Sequence, residues 1–446
     1  MPKTSRQIAL EILSQAEREG VLAEKGFARL NALTLEPKEK ALAAELVKGT
    51  LRWRGRIDYL LSHLSRRPLA SLPVFLRNTL RLGAYQILFL DRVPHWAAVD
   101  ESVKLARRHG HEGQVKYVNG VLRNLIRTGD QIPLPDPSRP AAHLAVVHAF
   151  PEWLASRWIK RFGAPEAARL MASCNIPAPL TLRVNRLKIS PERFMTILAD
   201  GGHDARRLPL TAEGVEVMGG TQVRDLPGFG EGWFYVQDPG AMAIARLVDP
   251  RPGERVLDAC AAPGGKASHM AELMDDRGEV TALELDEKRI AVMGENISRL
   301  GLRSIRPLAG DGSTVRFAHP FDRVLIDAPC SGLGTLRRHP EAKWLRQEVD
   351  LNRHQTRQLA ILHNISPFVR PGGNLVYATC STEPEENEDV VKQFLGRHGD
   401  FVLDDRVPAG SDPLGPLFDA HGFFHAYPHR DGTDGFFAAR LIRSGP

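Results

Sequence analysis

The sequence has little cysteine and no long apolar run, and each absence excludes a class of protein. Its 446 residues include four cysteines, Cys174, Cys260, Cys330 and Cys380, which is too few for a disulfide framework. No two of them have CxxC spacing and no histidine cluster completes a zinc site, so we expect no structural metal. No segment approaches the roughly 18 uninterrupted apolar residues of a membrane span, and the N-terminus lacks a signal-peptide core. We therefore expect a cytosolic protein.

The net charge of +6 is unevenly distributed along the chain. Residues 1–150 contain 23 basic and 14 acidic residues, a net charge of +9, whereas the rest of the chain carries −3. A basic module joined to a near-neutral one favours a polyanionic partner, most simply nucleic acid. The alternative is a basic surface that serves only solubility, and charge alone does not decide between the two.

The first third of the chain has the pattern of helices. Across residues 5–128, apolar side chains recur at helical spacing and short breakers separate the segments, which predicts an all-α domain over 1–135. Residues 130–140 contain four prolines in eleven positions, a composition typical of a linker.

Two further domains are predicted after this linker. Residues 141–235 are mixed, with a strand-like alternation at Leu180–Val184 and a helical pattern at Pro191–Asp200, which indicates a small α+β domain. Over residues 236–446, short β-branched runs alternate with helical stretches. That rhythm predicts a parallel, doubly wound α/β sheet, in which ligands bind beyond the carboxyl ends of the strands.

A glycine-rich turn at the end of the first of these strands is the first chemically suggestive motif. Gly264 and Gly265, just before Lys266, let the backbone approach a ligand because no Cβ is in the way. Glu284 ends the next predicted strand, where a carboxylate can accept both hydroxyls of a ribose. Asp311, in a Gly-Asp-Gly triplet, is either part of an ordinary turn or an acceptor for an adenine amino group.

Two thiols end two further predicted strands. Asp327-Ala-Pro-Cys330 joins an acid, a proline and a thiol, and Thr379-Cys380 supplies a second thiol 50 positions later. Each cysteine alone is more often an inert core residue than a nucleophile. Two at the mouth of one sheet, with an acid beside one of them, favour covalent catalysis by an activated thiolate.

These motifs together resemble the RNA cytosine-5 methyltransferases of the Nol1/Nop2/Sun family, and within it the Sun-type bacterial enzymes of small-subunit ribosomal RNA. Residues 5–128 also resemble the all-helical, RNA-binding fold of the antiterminator NusB. The resemblance implies a NusB-like domain, a small α+β linker or RNA-binding domain, and a Rossmann-like class I methyltransferase domain. The further segments that carry the resemblance are Tyr117–Arg127, Tyr235–Asp238, Gly332–Arg346 and Pro384–Asn387.

The resemblance implies S-adenosylmethionine as cofactor and RNA, small-subunit ribosomal RNA in particular, as partner of a monomeric enzyme. Cys380 would be the nucleophile on carbon 6 of cytosine, and Cys330 would assist release of the methylated base. Asp327 would touch both the cofactor and the target base. Glu284 stands where relatives often carry Asp, and the longer carboxylate would keep the ribose contact. The implied cofactor contacts are Cys260, Ala261, Ala262, Pro263, Gly264, Gly265, Lys266, Glu284, Asp311 and Asp327.

Two sets of side chains are candidates for RNA binding. Arginines of the first domain are predicted to make sequence-independent phosphate contacts, and a basic stretch with a tryptophan after Cys330 to hold phosphates and stack a base. The alternative for that stretch is a solvated helix face with a core tryptophan. The candidates are Arg52, Arg54, Arg56, Arg77 and Arg81 in the first set, and Arg337, Arg338, Lys343, Trp344 and Arg346 in the second.

Two other functions are compatible with the sequence. A transfer RNA cytosine-5 methyltransferase would need the same site, but the NusB-like extension resembles the ribosomal enzymes instead. A catalytically silent RNA-binding or ribosome assembly factor could keep the fold as a scaffold. Loss of Cys380 or of Gly264-Gly265 would favour that function, and all three residues are present.

Overall fold

Residues 3–20, 26, 27, 30, 35–404 and 412–445 are described by the computed structural model. The helical prediction for residues 5–128 also covers 21–25, 28, 29 and 31–34, which lie outside these described residues. Backbone contacts divide the chain into two units. The helical unit comprises Met1–Ile176 and Leu336–Glu348, and the sheet unit comprises Pro177–Thr335 and Val349–Pro446. In the described part of the chain, no helix has both the length and the apolarity to cross a membrane.

The helical unit follows from capping signals and apolar stripes in the sequence. At the first helix, the Thr4 side chain accepts from the Gln7 amide while the Gln7 side chain accepts from the Thr4 amide, and Gly20 in a left-handed conformation ends the helix. The inner faces share one apolar core. The helices are Ser5–Glu19, Pro37–Leu64, Val74–Phe89, His95–His109, Glu112–Thr128, Pro140–Val147, Glu152–Phe162, Ala164–Cys174 and the short Ala342–Leu345.

A small antiparallel sheet opens the sheet unit. Its strands are β1 (Leu180–Val184), β2 (Ala205–Arg207), β3 (Gly214–Val217) and β4 (Phe234–Val236), in the order β2-β3-β1-β4. The helix Pro191–Asp200, capped by the Ser190 hydroxyl, packs Phe194 against Phe234 in the core of this sheet. The predicted strand at Leu180–Val184 and the predicted helix at Pro191–Asp200 are both confirmed.

The large sheet of eight strands carries the site. Its path is β10-β12-β9-β8-β5-β6-β7, with β11 paired to β12. The pairs from β7 through β9 are parallel, and β12 is antiparallel to its neighbours. The strands are β5 (Arg255–Asp258), β6 (Glu279–Glu284), β7 (Ile305–Ala309), β8 (Phe321–Asp327), β9 (Val369–Thr379), β10 (Phe401–Leu403), β11 (Phe424–Ala426) and β12 (Phe436–Arg443).

Strand β5 lies between β6 and β8, so the chain order of the strands reverses there. In a doubly wound sheet this reversal opens a crevice beyond the carboxyl ends of the strands. Apolar clusters lie on the sheet with the surrounding helices, as expected when both faces of parallel strands are covered. Those helices are Pro239–Val248, Gly265–Leu273, Glu287–Leu300, Glu348–Ile365, Glu388–Leu395 and the short Pro428–Asp431.

Candidate active site

The glycine-rich turn connects β5 to the helix Gly265–Leu273 at this crevice. The backbone amide of Ala261 donates to Leu283 O (2.9 Å), which ties the turn to β6. Gly264 has a φ of +96°, and a Cβ there would lie 2.9 Å from Met293 Cγ. Both the left-handed backbone and the close approach therefore require glycine at this position.

Two carboxylates lie beyond the neighbouring strands. Glu284, at the end of β6, accepts hydrogen bonds from the backbone amides of Ala262 (3.3 Å), Leu285 (3.0 Å) and Asp286 (3.1 Å), which hold it in one orientation. Asp311 follows β7 and accepts from the amide and hydroxyl of Ser313, and these bonds lower the pKa of Asp311. Carboxylate acceptors beside a glycine turn fit the hydroxyl and amino groups of a nucleoside cofactor.

Lys266 lies in the first turn of the helix Gly265–Leu273 and forms an ion pair with Asp327, the last residue of β8. Lys266 Nζ lies 2.7 Å from Asp327 Oδ2, with both side chains largely buried. Burial alone would lower the pKa of Lys266, but the Asp327 carboxylate outweighs it and the pKa is raised. The ammonium therefore stays charged, and it also interacts electrostatically with Cys380.

The two predicted thiols meet at the ends of β8 and β9. Cys330 Sγ lies 3.3 Å from Cys380 Sγ, although the residues are 50 positions apart. The hydrogen bond with Cys380, followed by burial, raises the pKa of Cys330 well above that of an ordinary thiol. The pair therefore holds Cys330 as a neutral S–H group beside Cys380. None of the four cysteines, all of which lie in the described part of the chain, forms a disulfide.

The turn also contains the fully buried carboxyl group of Asp258 and the half-buried thiol of Cys260. Burial, followed by the charge of Asp327, raises the pKa of Asp258 to about 7. Burial also raises the pKa of the Cys260 thiol, which lies two residues further along the turn. The role of Cys260 as a cofactor contact stays a prediction.

Glu386 joins the two thiol-bearing loops, a role that sequence reasoning missed. It is fully buried, and its carboxylate accepts from the Ser331 amide (2.7 Å) and from the hydroxyls of Ser331 and Ser381. These serines directly follow Cys330 and Cys380. The Pro-Glu-Glu-Asn segment was the signal in the sequence, but nothing local showed that its second glutamate turns inward to both loops.

Arg183 of β1 is a second contributor that sequence reasoning missed. Its side chain is fully buried and donates to Glu272 (2.9 and 3.0 Å), to Ser268 Oγ (2.8 Å) and to the carbonyl of Gly265 (2.7 Å). Its guanidinium also lies over the ring of Tyr235. The small sheet thus holds the first turn of the helix that follows the glycine loop. Nothing local marked this residue, because Arg183 occupies a polar position in the regular alternation of Leu180–Val184.

The structure corrects the predicted phosphate contacts of the helical unit. Arg81 is 4% exposed and binds Asp58 (2.7 Å, twice) and Glu17 (3.2 Å), so its guanidinium is already neutralised. Arg52 is also 4% exposed and donates to a backbone carbonyl. Arg77 is held by Glu17 and by three backbone carbonyls. The prediction is wrong for the buried Arg52 and Arg81, and the structure does not favour it for Arg77.

The basic stretch after Cys330 is part of the helical unit. Lys343 is 1% exposed, donates to Arg52 O (2.9 Å) and lies over the Phe150 ring, and burial lowers its pKa well below that of an ordinary lysine. Trp344 is half-buried and donates from its indole nitrogen to Leu51 O (2.6 Å). Arg337 is buried as well. The predicted RNA contacts are therefore wrong for the buried Lys343 and Arg337, whereas the contact of the half-buried Trp344 stays a prediction. The alternative of a solvated helix face does not fit the buried Lys343 either.

Four arginines of the two sets are half-buried and stay predictions. Arg54 lies 3.7 Å from Asp58 and faces the Trp344 ring, which leaves 29% of its side chain exposed. The others are Arg56, Arg338 and Arg346.

Comparison with known protein families matches the three regions in turn. Residues 3–127 match the NusB family. Residues 150–224 match the ferredoxin-like domain of RsmF/B-like methyltransferases. Residues 245–442 match the family described as 16S rRNA methyltransferase RsmB/F. The predicted fold classes, all-α, small α+β and Rossmann-like α/β, are thereby confirmed.

Full-length relatives agree with these matches. The probable ribosomal RNA small subunit methyltransferase B of Bacillus subtilis is 37% identical, and the alignment covers 100% of both chains. The ribosomal RNA small subunit methyltransferase B of Pseudomonas syringae is 36% identical over 92% of this chain and 90% of that one. The solved structure of the protein PH0851 superposes with a TM-score of 0.80 at 26% identity, covering 99% of each chain. The chain therefore belongs to the 16S rRNA methyltransferase RsmB/F family of S-adenosylmethionine-dependent enzymes.

Proposed function

We propose that the protein transfers a methyl group from S-adenosylmethionine to carbon 5 of a cytosine in 16S ribosomal RNA. The observation that carries this proposal is the pair of thiols, Cys330 and Cys380, 3.3 Å apart beside the Lys266–Asp327 ion pair. Carbon 5 of cytosine is too weak a nucleophile to attack a sulfonium methyl unaided. Covalent addition of a thiolate to carbon 6 removes that obstacle, because it produces an enamine-like ring.

Cys380 is the nucleophile in this proposal. Its thiolate forms the bond to carbon 6, and the electron pair displaced from the ring accumulates toward N3. In this proposal N3 takes up a proton through Asp327, to which the Lys266 ammonium donates at 2.7 Å. The bond from the Lys266 ammonium also fixes the Asp327 carboxyl group. When bound, S-adenosylmethionine supplies the methyl group that carbon 5 takes up.

Cys330 assists the release of the product. A general base takes the carbon 5 proton, the double bond between carbons 5 and 6 re-forms, and the bond between Cys380 Sγ and carbon 6 breaks. The raised pKa of Cys330 keeps it protonated, so that its S–H can donate to the departing sulfur 3.3 Å away. The target base must leave its stack or already be unpaired to reach these thiols, because both are largely enclosed.

The test is methyl transfer with a labelled methyl donor. Wild-type protein, Cys380→Ala and Cys330→Ala are incubated with 16S ribosomal RNA, and the RNA is digested to nucleosides for mass spectrometry. We expect 5-methylcytidine with the wild type and none with Cys380→Ala. Cys174→Ala, which removes a thiol from the helical unit, is the matched control and keeps full transfer.

Other outcomes select the alternatives. Methylation of transfer RNA but not of ribosomal RNA would favour the transfer RNA enzyme. Bound cofactor without label in either RNA would contradict an enzyme for these substrates and favour the assembly factor. A label on any atom other than carbon 5 would contradict the thiol mechanism.

A further inference from the structure

A groove in the helical unit combines an exposed aromatic ring with uncompensated arginines. It lies between the helices His95–His109 and Glu112–Thr128 and encloses about 920 Å³. Its side chains are not among those predicted to bind RNA. The indole of Trp96 stands at its rim and is 74% exposed, an unusual state for a large aromatic side chain.

The arginines of the groove differ from the buried arginines of the same unit. Arg123 donates to Asn119 Oδ1 (3.0 Å) and Arg127 to Asn124 Oδ1 (2.8 Å), so neutral amides orient both. In the described part of the chain, neither forms an ion pair with a carboxylate, unlike Arg77 and Arg81. Their positive charge therefore faces solvent without an internal counterion.

The remaining walls suit flat, partly polar groups. Asp100 is the acidic residue of the lining, and Lys104 neutralises it at 2.7 Å. Gly120 lies in the wall, and a Cβ added there would meet no atom within 4 Å, so the space above it is open. An aromatic platform, two guanidiniums and oriented amides are the groups that hold single-stranded nucleic acid through stacking and phosphate contacts.

We propose that this groove, defined by Trp96, Gly120, Arg123 and Arg127, binds an unpaired segment of the RNA substrate. The partner follows from charge complementarity: the uncompensated guanidiniums and the net charge of +9 over residues 1–150 favour a polyanion. An apolar helix of a protein partner would leave the two guanidiniums unpaired. The inference rests on the proposed function for the identity of the RNA but not for the binding itself.

The binding test uses the full chain and a 5′-labelled single-stranded oligouridine, measured by fluorescence anisotropy at several salt concentrations. Trp96→Ala removes one stacking platform, and we expect affinity to fall by about 5- to 100-fold. Arg123→Ala with Arg127→Ala removes two phosphate contacts, and we expect the salt slope to become smaller by about 1.4. The exposed Arg108→Ala, on the same helix as Trp96 but outside the lining, is the matched control and keeps wild-type affinity.

A steric variant separates groove binding from loss of folding. Gly120→Leu projects into open space from a helical position, so the helix tolerates it while the groove is filled. We expect Gly120→Leu to weaken binding strongly, Gly120→Ala to weaken it less, and both to keep the wild-type unfolding temperature. In methylation assays the same variants raise KM for RNA.

The outcomes distinguish this inference from the proposed function. If the wild type binds oligouridine and Trp96→Ala, Gly120→Leu and the arginine pair all bind it equally well, the inference is overturned whether or not methyl transfer occurs. Specific binding that the variants weaken supports the groove even if no RNA is methylated, and in that case only the proposed function fails.

Discussion

Two buried arginines, one in each unit, use the same chemistry for different ends. In the helical unit, Arg81 binds Asp58 and Glu17, which joins three helices, and it also donates to the Asn78 side chain. In the sheet unit, Arg183 binds Glu272 but also donates to the Gly265 carbonyl and Ser268. The hydrogen bonds of Arg81 end on side chains, whereas those of Arg183 continue into the backbone of the glycine-rich turn. Both arginines are ion-paired and shielded from water. The role of each therefore depends on what its remaining N–H groups bind.

The largest effects are expected when each network loses its arginine. Arg183→Met leaves the buried Glu272 without its partner and should lower the free energy of unfolding of its unit by about 3–5 kcal/mol. Arg81→Met leaves the half-buried Glu17 and Asp58 with fewer hydrogen bonds and should lower it by about 1–3 kcal/mol. The two variants are expected to differ in their affinity for the cofactor. We expect Arg183→Met to weaken S-adenosylmethionine binding by about tenfold, because the turn loses its anchor, and Arg81→Met to leave it unchanged.

Chemical denaturation gives the stabilities and calorimetry gives the affinities, under conditions where each variant is folded. Equal cofactor affinity in the two variants would contradict the distinction between the networks. Arg183→Lys retains the charge but not the fork of donors, and it should bind the cofactor with intermediate affinity.

The next largest effect is expected when the two thiol-bearing loops lose the carboxylate that joins them. Glu386→Ala removes the carboxylate that joins the two thiol loops, and we expect kcat to fall by about 100-fold because the sulfurs lose their mutual placement. Glu385→Ala, one residue away, is the matched control and should keep kcat. Pre-steady-state methyl transfer separates kcat from RNA binding. An increase in KM for RNA with unchanged kcat would contradict the positioning role.

A smaller effect follows from the raised pKa of Asp258. The folded protein keeps this proton up to about pH 7, whereas the unfolded chain loses it near its ordinary pKa of 3.8. Stability from this group is therefore complete below that ordinary value and is lost as pH rises through 7. We expect Asp258→Asn to reduce the loss of unfolding free energy between pH 5 and pH 8 by about 2.5 kcal/mol. Parallel urea titrations at the two pH values measure it, and identical pH dependence would contradict the assignment.

The same contrast shows what the sequence could predict. Glu284, Cys330 and Cys380 end parallel strands, and parallel strands bring their carboxyl ends to one edge, so local pattern was enough to bring these residues together. Arginines carry no such constraint. Arg81 and Arg123 are the same residue type on similar helices, yet one is enclosed by carboxylates and the other faces solvent.

Sequence patterns did not predict the role of residues whose partners are distant in the chain. Lys343 and Trp344 follow the Cys330 motif in the chain but belong to the helical unit, because the helix Pro37–Leu64 offers them the carbonyls of Leu51 and Arg52. Glu386 escaped for a similar reason, since its hydrogen bonds span 55 positions to Ser331. The spacing of residues predicts local structure, whereas these contacts depend on the tertiary fold.

The central claim is the covalent bond between Cys380 and cytosine, and trapping it is the most direct test. Cys330→Ala is incubated with S-adenosylmethionine and 16S ribosomal RNA, digested with protease and nuclease, and analysed by tandem mass spectrometry. The account predicts a peptide containing Cys380 that carries a methylated cytidine, together with free wild-type protein under the same conditions. An adduct on Cys330 in Cys380→Ala, with none on Cys380 in Cys330→Ala, would contradict it.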